Sequence, residues 1–169
     1  EHHIPGGEKL RSAGRAALGV EVLVLDENDQ VVSQGTVGEI CARGPNVMLG
    51  YWGMESTTAD TLRNGWLHTG DLGYMDEDGF VFIVDRAKDM VISGGENIFS
   101  VEVEGAIYGH PAVQECAVIG IPDERWGEAV HAIVVLRDGE RANEAEIIEH
   151  CRERIAGYKV PRSVEFKAE

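Results

Sequence analysis

Apolar positions in the first half of the chain fall in short runs separated by acidic or glycine-bearing breaks, the pattern of strands joined by turns. A strand is expected over 20–25, closed by the acidic turn Asp26-Glu27-Asn28-Asp29, with Val31 and Val32 resuming it. Gly35 and Gly38 punctuate the chain before a run over 39–42, and Gly44-Pro45-Asn46 breaks it. A short helix is expected over about 55–62, ending at Asn64-Gly65. Runs over 72–75 and 80–84 flank Asp76-Glu77-Asp78-Gly79, an acidic turn ending in glycine that signals a hairpin. Phe80, Phe82 and Val84 take one face of the second strand, and Val81 and Ile83 the other. Apolar residues on both faces predict a strand covered on both sides.

Beyond residue 92 the period changes. Ser100 is expected to cap a helix carrying Val103 and Ile107, stopped by Gly109-His110-Pro111. Strands follow over 115–121 and 130–136, with a loop at Pro122-Asp123 and a turn at Arg137-Asp138-Gly139. Asn143 and Glu146 have capping-box spacing. Ile147, Ile148, Cys151 and Ile155 then form one helix face, Gly157 ends it, and a last strand is expected over 163–166. Helix, strand, strand, helix, strand makes a small α+β unit. Between the halves, Asp85-Arg86-Ala87-Lys88-Asp89 interrupts two apolar runs with charge, which suits an exposed connection between domains. The reading is therefore a β-rich part over 1–84, a connection over 85–91 and an α+β part over 92–169.

Composition narrows the partners. The 169 residues are 43% hydrophobic and 27% charged, as in an ordinary globular protein. Apolar runs such as 80–84 and 132–136 are too short to cross a bilayer. The opening Glu1-His2-His3 lacks the basic start and apolar stretch of a signal peptide, and His2 and His3 are given no role. A net charge of −15 argues against nucleic acid and against anionic membrane surfaces. Cys41, Cys116 and Cys151 are scattered among apolar residues with no C-x-x-C pair, so buried reduced thiols and a cytoplasmic setting are expected.

Several residue groups bear chemistry. If Met75 pairs with Phe80 across the hairpin, Asp71 lies opposite Val84, at a Cβ separation of roughly 5 Å. Asp71 and Arg86 then come together although distant in sequence. A carboxylate accepts two hydrogen bonds side by side, as vicinal sugar hydroxyls require, and a guanidinium meets phosphate or ribose oxygen. A structural ion pair fits the same spacing. Ser93-Gly94-Gly95-Glu96-Asn97 lets backbone approach a ligand, but lacks the spacing of a phosphate loop, so a simple turn is the default. The two acidic turns lack the EF-hand pattern and read as hairpin turns. His68, His110, His131 and His150 make no metal pair on one helix, and no G-x-S-x-G elbow is present. Trp126 lies in a polar loop, open either to stacking on a ligand or to partial burial against a sheet.

Taken in order, four segments resemble the adenylate-forming superfamily of acyl-CoA synthetases, luciferases and peptide-synthetase adenylation domains. They are Gly38-Glu39-Ile40 through Gly50-Tyr51-Trp52, then Gly65-Trp66-Leu67-His68-Thr69-Gly70-Asp71-Leu72. Next come Asp85-Arg86-Ala87-Lys88-Asp89-Met90-Val91-Ile92-Ser93-Gly94-Gly95-Glu96-Asn97-Ile98 and Tyr158-Lys159-Val160-Pro161. The Ser-Gly-Gly-Glu-Asn form is closer to fatty or aryl acid–CoA ligases. The resemblance implies that residues 1–84 are the β-rich, barrel-like end of the large AMP-binding domain. Residues 85–91 become the hinge, and 92–169 the small C-terminal domain, with a short sheet flanked by helices.

It implies Asp71 on the ribose of ATP or acyl-AMP, Arg86 on ribose or phosphate, and Lys88 as the pivot. Gly94 and Gly95 would line the pantetheine arm of CoA, and Trp126 and Tyr158 its nucleotide. The implied partners are a carboxylic acid (a fatty acid above all), ATP with Mg2+, and CoA. The family's phosphate loop and Tyr-Gly-x-Thr-Glu motif are expected before Glu1, and its adenylation lysine after Glu169, so the chain is expected to be inactive alone. A ligase that loads a carrier-protein arm and a non-catalytic binding module of the same fold are the alternatives. The acyl chain and the oligomeric state are not legible.

Overall fold

The computed structural model describes residues 7–168, so His2 and His3 lie outside the described residues. By internal packing the chain divides into two compact units, Glu1–Ala87 and Lys88–Glu169. The fold is of the α+β class expected, with mostly antiparallel strands and three α-helices among the described residues.

In the first unit, β1 (Gly14–Arg15), β2 (Glu21–Leu25), β3 (Gly38–Arg43), β4 (Leu67–Met75) and β5 (Phe80–Arg86) form one antiparallel sheet in the order β1-β5-β4-β3-β2. Val24, Leu25, Ile40, Cys41, Phe80 and Val81 are its buried apolar residues. The turn after β2 is tied by Asp26, whose Oδ1 accepts the N–H groups of Asn28 and Gln30 at 2.9 Å each. That turn chemistry replaces the expected resumption of a strand: Val31 makes only an isolated bridge to Leu25. Helix α1 (Glu55–Thr61) is followed by a 3-10 turn at Arg63–Gly65. Asn64 and Gly65 take φ of +54° and +78° there, which halts the helix where the sequence placed its end.

The β4–β5 hairpin corrects the sequence register. Asp76 Oδ1 accepts the N–H groups of Asp78 and Phe80, and the Asp76 amide donates to the Phe80 carbonyl at 3.0 Å. Phe80 is thereby consumed in closing the turn, and Met75 pairs with Val81 instead. A bulge between Leu72 and Gly73 slips the ladder once more, so Asp71 faces Arg86 rather than Val84. Coverage of β5 on both faces is not met either. Ile83 is 57% exposed, although Val81 on the same face of the strand and Phe80 on the other are buried.

In the second unit, β6 (Val91–Ser93) and β7 (Glu96–Ile98) form a tight hairpin, followed by α2 (Ser100–Tyr108). Phe99, not Ser100, holds the N-cap position of α2, and Ser100 is its first helical residue. Strands β8 (Val113–Asp123) and β9 (Gly127–Leu136) pair antiparallel as far as Asp123 and Gly127, so Pro122 and Asp123 belong to the ladder rather than a loop. Helix α3 (Glu144–Arg152) opens with the complete capping box: Asn143 Oδ1 accepts the Glu146 amide and Glu146 accepts the Asn143 amide. It ends at Arg152, five residues before the expected Gly157. The last strand, β10 (Ser163–Phe166), lies parallel to β9.

The sheet orders as β10-β9-β6-β7, with β8 on β9. Both helices contribute to one core, in which Ile98, Val103, Ile107, Val113, Val134, Ile147 and Cys151 are fully or almost fully buried. Each such aliphatic side chain contributes about 1.5–3 kcal/mol by leaving water. Burial also pushes the thiols up, Cys41 and Cys116 to about 12 and Cys151 to about 11. All three are free, and Cys41 and Cys151 are fully enclosed whereas Cys116 is only half-buried. No helix among the described residues is long and apolar enough to cross a membrane.

Candidate functional site

In the first unit, β4 and β5 set Asp71 and Arg86 directly opposite one another. Arg86 Nε lies 3.2 Å from Asp71 Oδ1, and the two side chains keep 62% and 29% of their surface in water, respectively. The pair is thus an ion pair that a solute can reach. Around it the backbone is pinned. The Asp71 amide donates to Thr69 Oγ1 at 3.1 Å, and the Thr69 hydroxyl donates to the Ile40 carbonyl at 2.7 Å. The Gly70 amide donates to Glu39 Oε1 at 3.0 Å, and the Gly70 carbonyl accepts the Ala87 amide at 2.9 Å.

The Glu39 network lies behind this pair and was not singled out from the sequence. Glu39 Oε2 is 2.8 Å from His68 Nδ1, and Cys41 Sγ is 3.3 Å from the same nitrogen. Arg63 Nη2 reaches both Glu39 Oε2 at 3.4 Å and Asp29 Oδ1 at 3.2 Å. Glu39 lies in the first of the family-like segments, but its partners are not legible there, since 29 residues separate it from His68 and only the β3–β4 register joins them. Glu39, Cys41 and His68 are the described residues close enough to share a metal ion. They do not fit magnesium. Two of the three donors are a thiol and an imidazole where that ion takes oxygen, and the thiol is pushed up to about 12 by burial and by the Glu39 charge.

In the second unit, the β6–β7 turn is made by Gly94 and Gly95 at φ of +62° and +85°. The Gly94 amide donates to the Trp126 carbonyl at 2.8 Å. A Cβ on Gly94 would stand 2.8 Å from Trp126 Cε3, so the indole lies against a glycine by necessity. Trp126 is half-buried there, with its indole against this turn. The guanidiniums of Arg125 and Arg162 lie 4.6 and 5.0 Å from its ring centre. Tyr158, 50% exposed, sits in the 3-10 turn Gly157–Lys159. Lys159 Nζ is 5.5 Å from its ring centre and is itself held by both Glu102 oxygens, at 2.6 and 2.8 Å. Lys88, exposed, is the first residue of this unit. The structure therefore brings together Asp71 with Arg86, and Gly94 with Trp126.

With this geometry described, comparison with known proteins defines the class. The AMP-binding enzyme family matches residues 2–52, and the AMP-binding enzyme C-terminal domain matches residues 102–169. The chain belongs to the AMP-binding enzymes of the adenylate-forming superfamily. It is 52% identical over 159 residues to the feruloyl-CoA synthase of Amycolatopsis sp, covering 94% of this chain and 32% of that protein. It is 44% identical over 164 residues to the fatty acid–[acyl-carrier-protein] ligase ScoC of Streptomyces coeruleorubidus, covering 97% of this chain and 32% of that one. Among solved structures it resembles the o-succinylbenzoate CoA synthetase MenE of Bacillus subtilis in complex with its acyl-adenylate intermediate. The TM-score there is 0.87 at 42% identity, over 96% of this chain and 33% of that one. The chain thus spans about a third of the length of the curated relatives it matches.

Proposed function

We propose that this chain is the nucleotide-contact and pivot region of an acid–CoA ligase. The enzyme activates a carboxylic acid with ATP and passes the acyl group to CoA. The observation that carries the reading is the solvent-reaching Asp71–Arg86 pair, set within the Gly65–Leu72 motif. Similarity to a feruloyl-CoA synthase and to an acyl-adenylate complex supports it.

In the first step a carboxylate oxygen attacks the α-phosphorus, the α–β phosphoanhydride bond breaks, and pyrophosphate leaves. In the second the CoA sulfur attacks the acyl carbon, and the C–O bond to AMP breaks. The thiol proton is lost to solvent, and AMP carries away the electron pair. Asp71 accepts the ribose hydroxyls and Arg86 meets ribose or phosphate oxygen. Lys88 is the pivot between the two half-reactions. Gly94 and Gly95 admit the pantetheine arm, and Trp126 and Tyr158 face the CoA nucleotide. Magnesium accompanies ATP and is assigned to no residue of this chain. Neither Lys159, held by Glu102, nor Lys167, 3.6 Å from Glu165, is assigned the adenylation role. Three free cysteines favour a reducing, cytoplasmic setting, and a charge of −15 favours small-molecule partners over nucleic acid.

The test is AMP release by the full-length protein carrying this chain, with ATP and a panel of aryl and fatty acids. Formation of acyl-CoA that requires acid, ATP and CoA together supports the reading. AMP release without any thioester product contradicts it. The 169-residue chain alone is expected to show no acid-dependent pyrophosphate exchange. The match to a carrier-protein ligase favours a second reading, in which the acceptor is a carrier-protein arm. Replacing CoA by a phosphopantetheinylated carrier protein in the same assay separates the two.

A further inference from the structure

We propose that Glu39 is the positioning residue for Asp71, holding the Gly70–Asp71 backbone so that the Asp71 carboxylate faces the nucleotide. The inference rests on the nucleotide reading of Asp71 and adds to it the group that sets its geometry.

The argument starts from the sheet. On β3, Glu39 pairs with Leu72 and Cys41 pairs with His68. Between those pairs Ile40 alone stands opposite three residues, Thr69, Gly70 and Asp71. A bulged strand leaves backbone groups without ladder partners, and such groups need others. Here side chains supply them. Thr69 Oγ1 donates to the Ile40 carbonyl and accepts the Asp71 amide. Glu39 Oε1 takes the Gly70 amide at 3.0 Å, with Gly70 at a φ of +74°. A carboxylate accepting an amide makes a stronger bond than a neutral acceptor does.

Glu39 is itself fixed. Its other oxygen is 2.8 Å from Nδ1 of His68, whose side chain is 3% exposed, and 3.4 Å from Arg63 Nη2. Gly70 is pinned from the far side as well, by the Ala87 amide on its carbonyl. A rigid carboxylate on β3 thus fixes one side of the residue preceding Asp71, and the chain end of β5 fixes the other.

The test uses the full-length protein and four variants: Asp71→Asn, Glu39→Ala, Glu39→Gln and the double variant Glu39→Ala/Asp71→Asn. Glu39→Ala is expected to raise the ATP KM about tenfold, as expected for a lost hydrogen bond to a charged group. Glu39→Gln keeps an acceptor for the Gly70 amide and stays within about threefold of wild type. The double variant loses no more than Asp71→Asn alone, because both act through one carboxylate. If Glu39→Ala does not fold, Glu39→Asp carries the test. It keeps the charge beside His68 but withdraws from Gly70, so its ATP KM rises where that of Glu39→Gln does not. A wild-type ATP KM in Glu39→Ala or Glu39→Asp, or losses that multiply in the double variant, overturns the proposal.

Hydrogen exchange of the Gly70 amide without nucleotide separates this failure from that of the site. If Asp71→Asn leaves the ATP KM unchanged, the nucleotide reading falls. The anchor is then judged by exchange alone: faster Gly70 exchange in Glu39→Ala or Glu39→Asp upholds it, and unchanged exchange refutes it.

Discussion

Arg86 Nε lies 3.2 Å from Asp71 Oδ1 because a turn-closing phenylalanine and a single bulge move the β4–β5 ladder two positions from its simplest register. The pair reaches water, so it adds little to stability, about 0–1 kcal/mol for exposed ion pairs. Asp71→Asn should therefore unfold at nearly the wild-type temperature. In the full-length protein it should raise the ATP KM about tenfold or more, since a carboxylate on vicinal hydroxyls makes charge-assisted bonds. Arg86→Lys should behave alike, because an ammonium keeps the charge but loses the planar fork. Thermal unfolding and pyrophosphate-exchange kinetics on the same samples check both statements. A large fall in stability with unchanged KM would show a purely structural pair.

Gly94 allows no larger residue. It combines a φ of +62° with an indole 2.8 Å from where a Cβ would stand. Gly94→Ala should cost about 1–3 kcal/mol, from the left-handed backbone and from displacing Trp126. The displaced indole should shift the tryptophan emission. If the turn serves the second half-reaction, as proposed, the CoA KM of the full-length protein should rise while acid-dependent pyrophosphate exchange stays near wild type. An equal loss in both would remove the turn from the CoA path.

Much of this was legible in the sequence. Asn143 and Glu146 announced a capping box that forms with both bonds, and Asp76-Glu77-Asp78-Gly79 announced a hairpin. Those are local signals, set by residues three or four apart. The meeting of Asp71 and Arg86 was legible too, although its stated register was not. Register depends on whether the Asp76 side chain takes the Phe80 amide and on where a bulge falls, and apolar alternation records neither. Ser100 looked like a cap and is not one, because Phe99 already has the extended backbone that precedes the helix. Glu39 was legible only as a strand residue within the first family-like segment, with no role attached. Its partners His68 and Gly70 come to it only through pairing between β3 and β4.

His150 gives the fold a dependence on pH. Burial holds its imidazole below the ordinary value of 6.5, with Arg154 and His110 adding to the effect and the Ala106 backbone, then Glu153, opposing it. Its Nε2 is buried without a hydrogen-bond partner. Because the unfolded chain binds this proton more readily, stability is full above about pH 6.5 and falls as pH drops toward the lowered folded-state value. Unfolding by denaturant at pH 7.5 and 5.5 should show the loss, and His150→Gln should flatten the difference. A slope unchanged in His150→Gln would assign it to other groups.

The central claim is that residues 85–88 join a nucleotide contact to a pivot used between two half-reactions. The most direct measurement is Lys88→Pro in the full-length protein, with acyl-adenylate formation and thioester formation timed separately. Proline fixes φ and removes an amide, restricting rotation at that position. The account predicts adenylation close to wild type and thioester formation slowed by about tenfold or more, equivalent to about 1.4 kcal/mol in the second barrier. Equal slowing of the two half-reactions, or none in either, would contradict it.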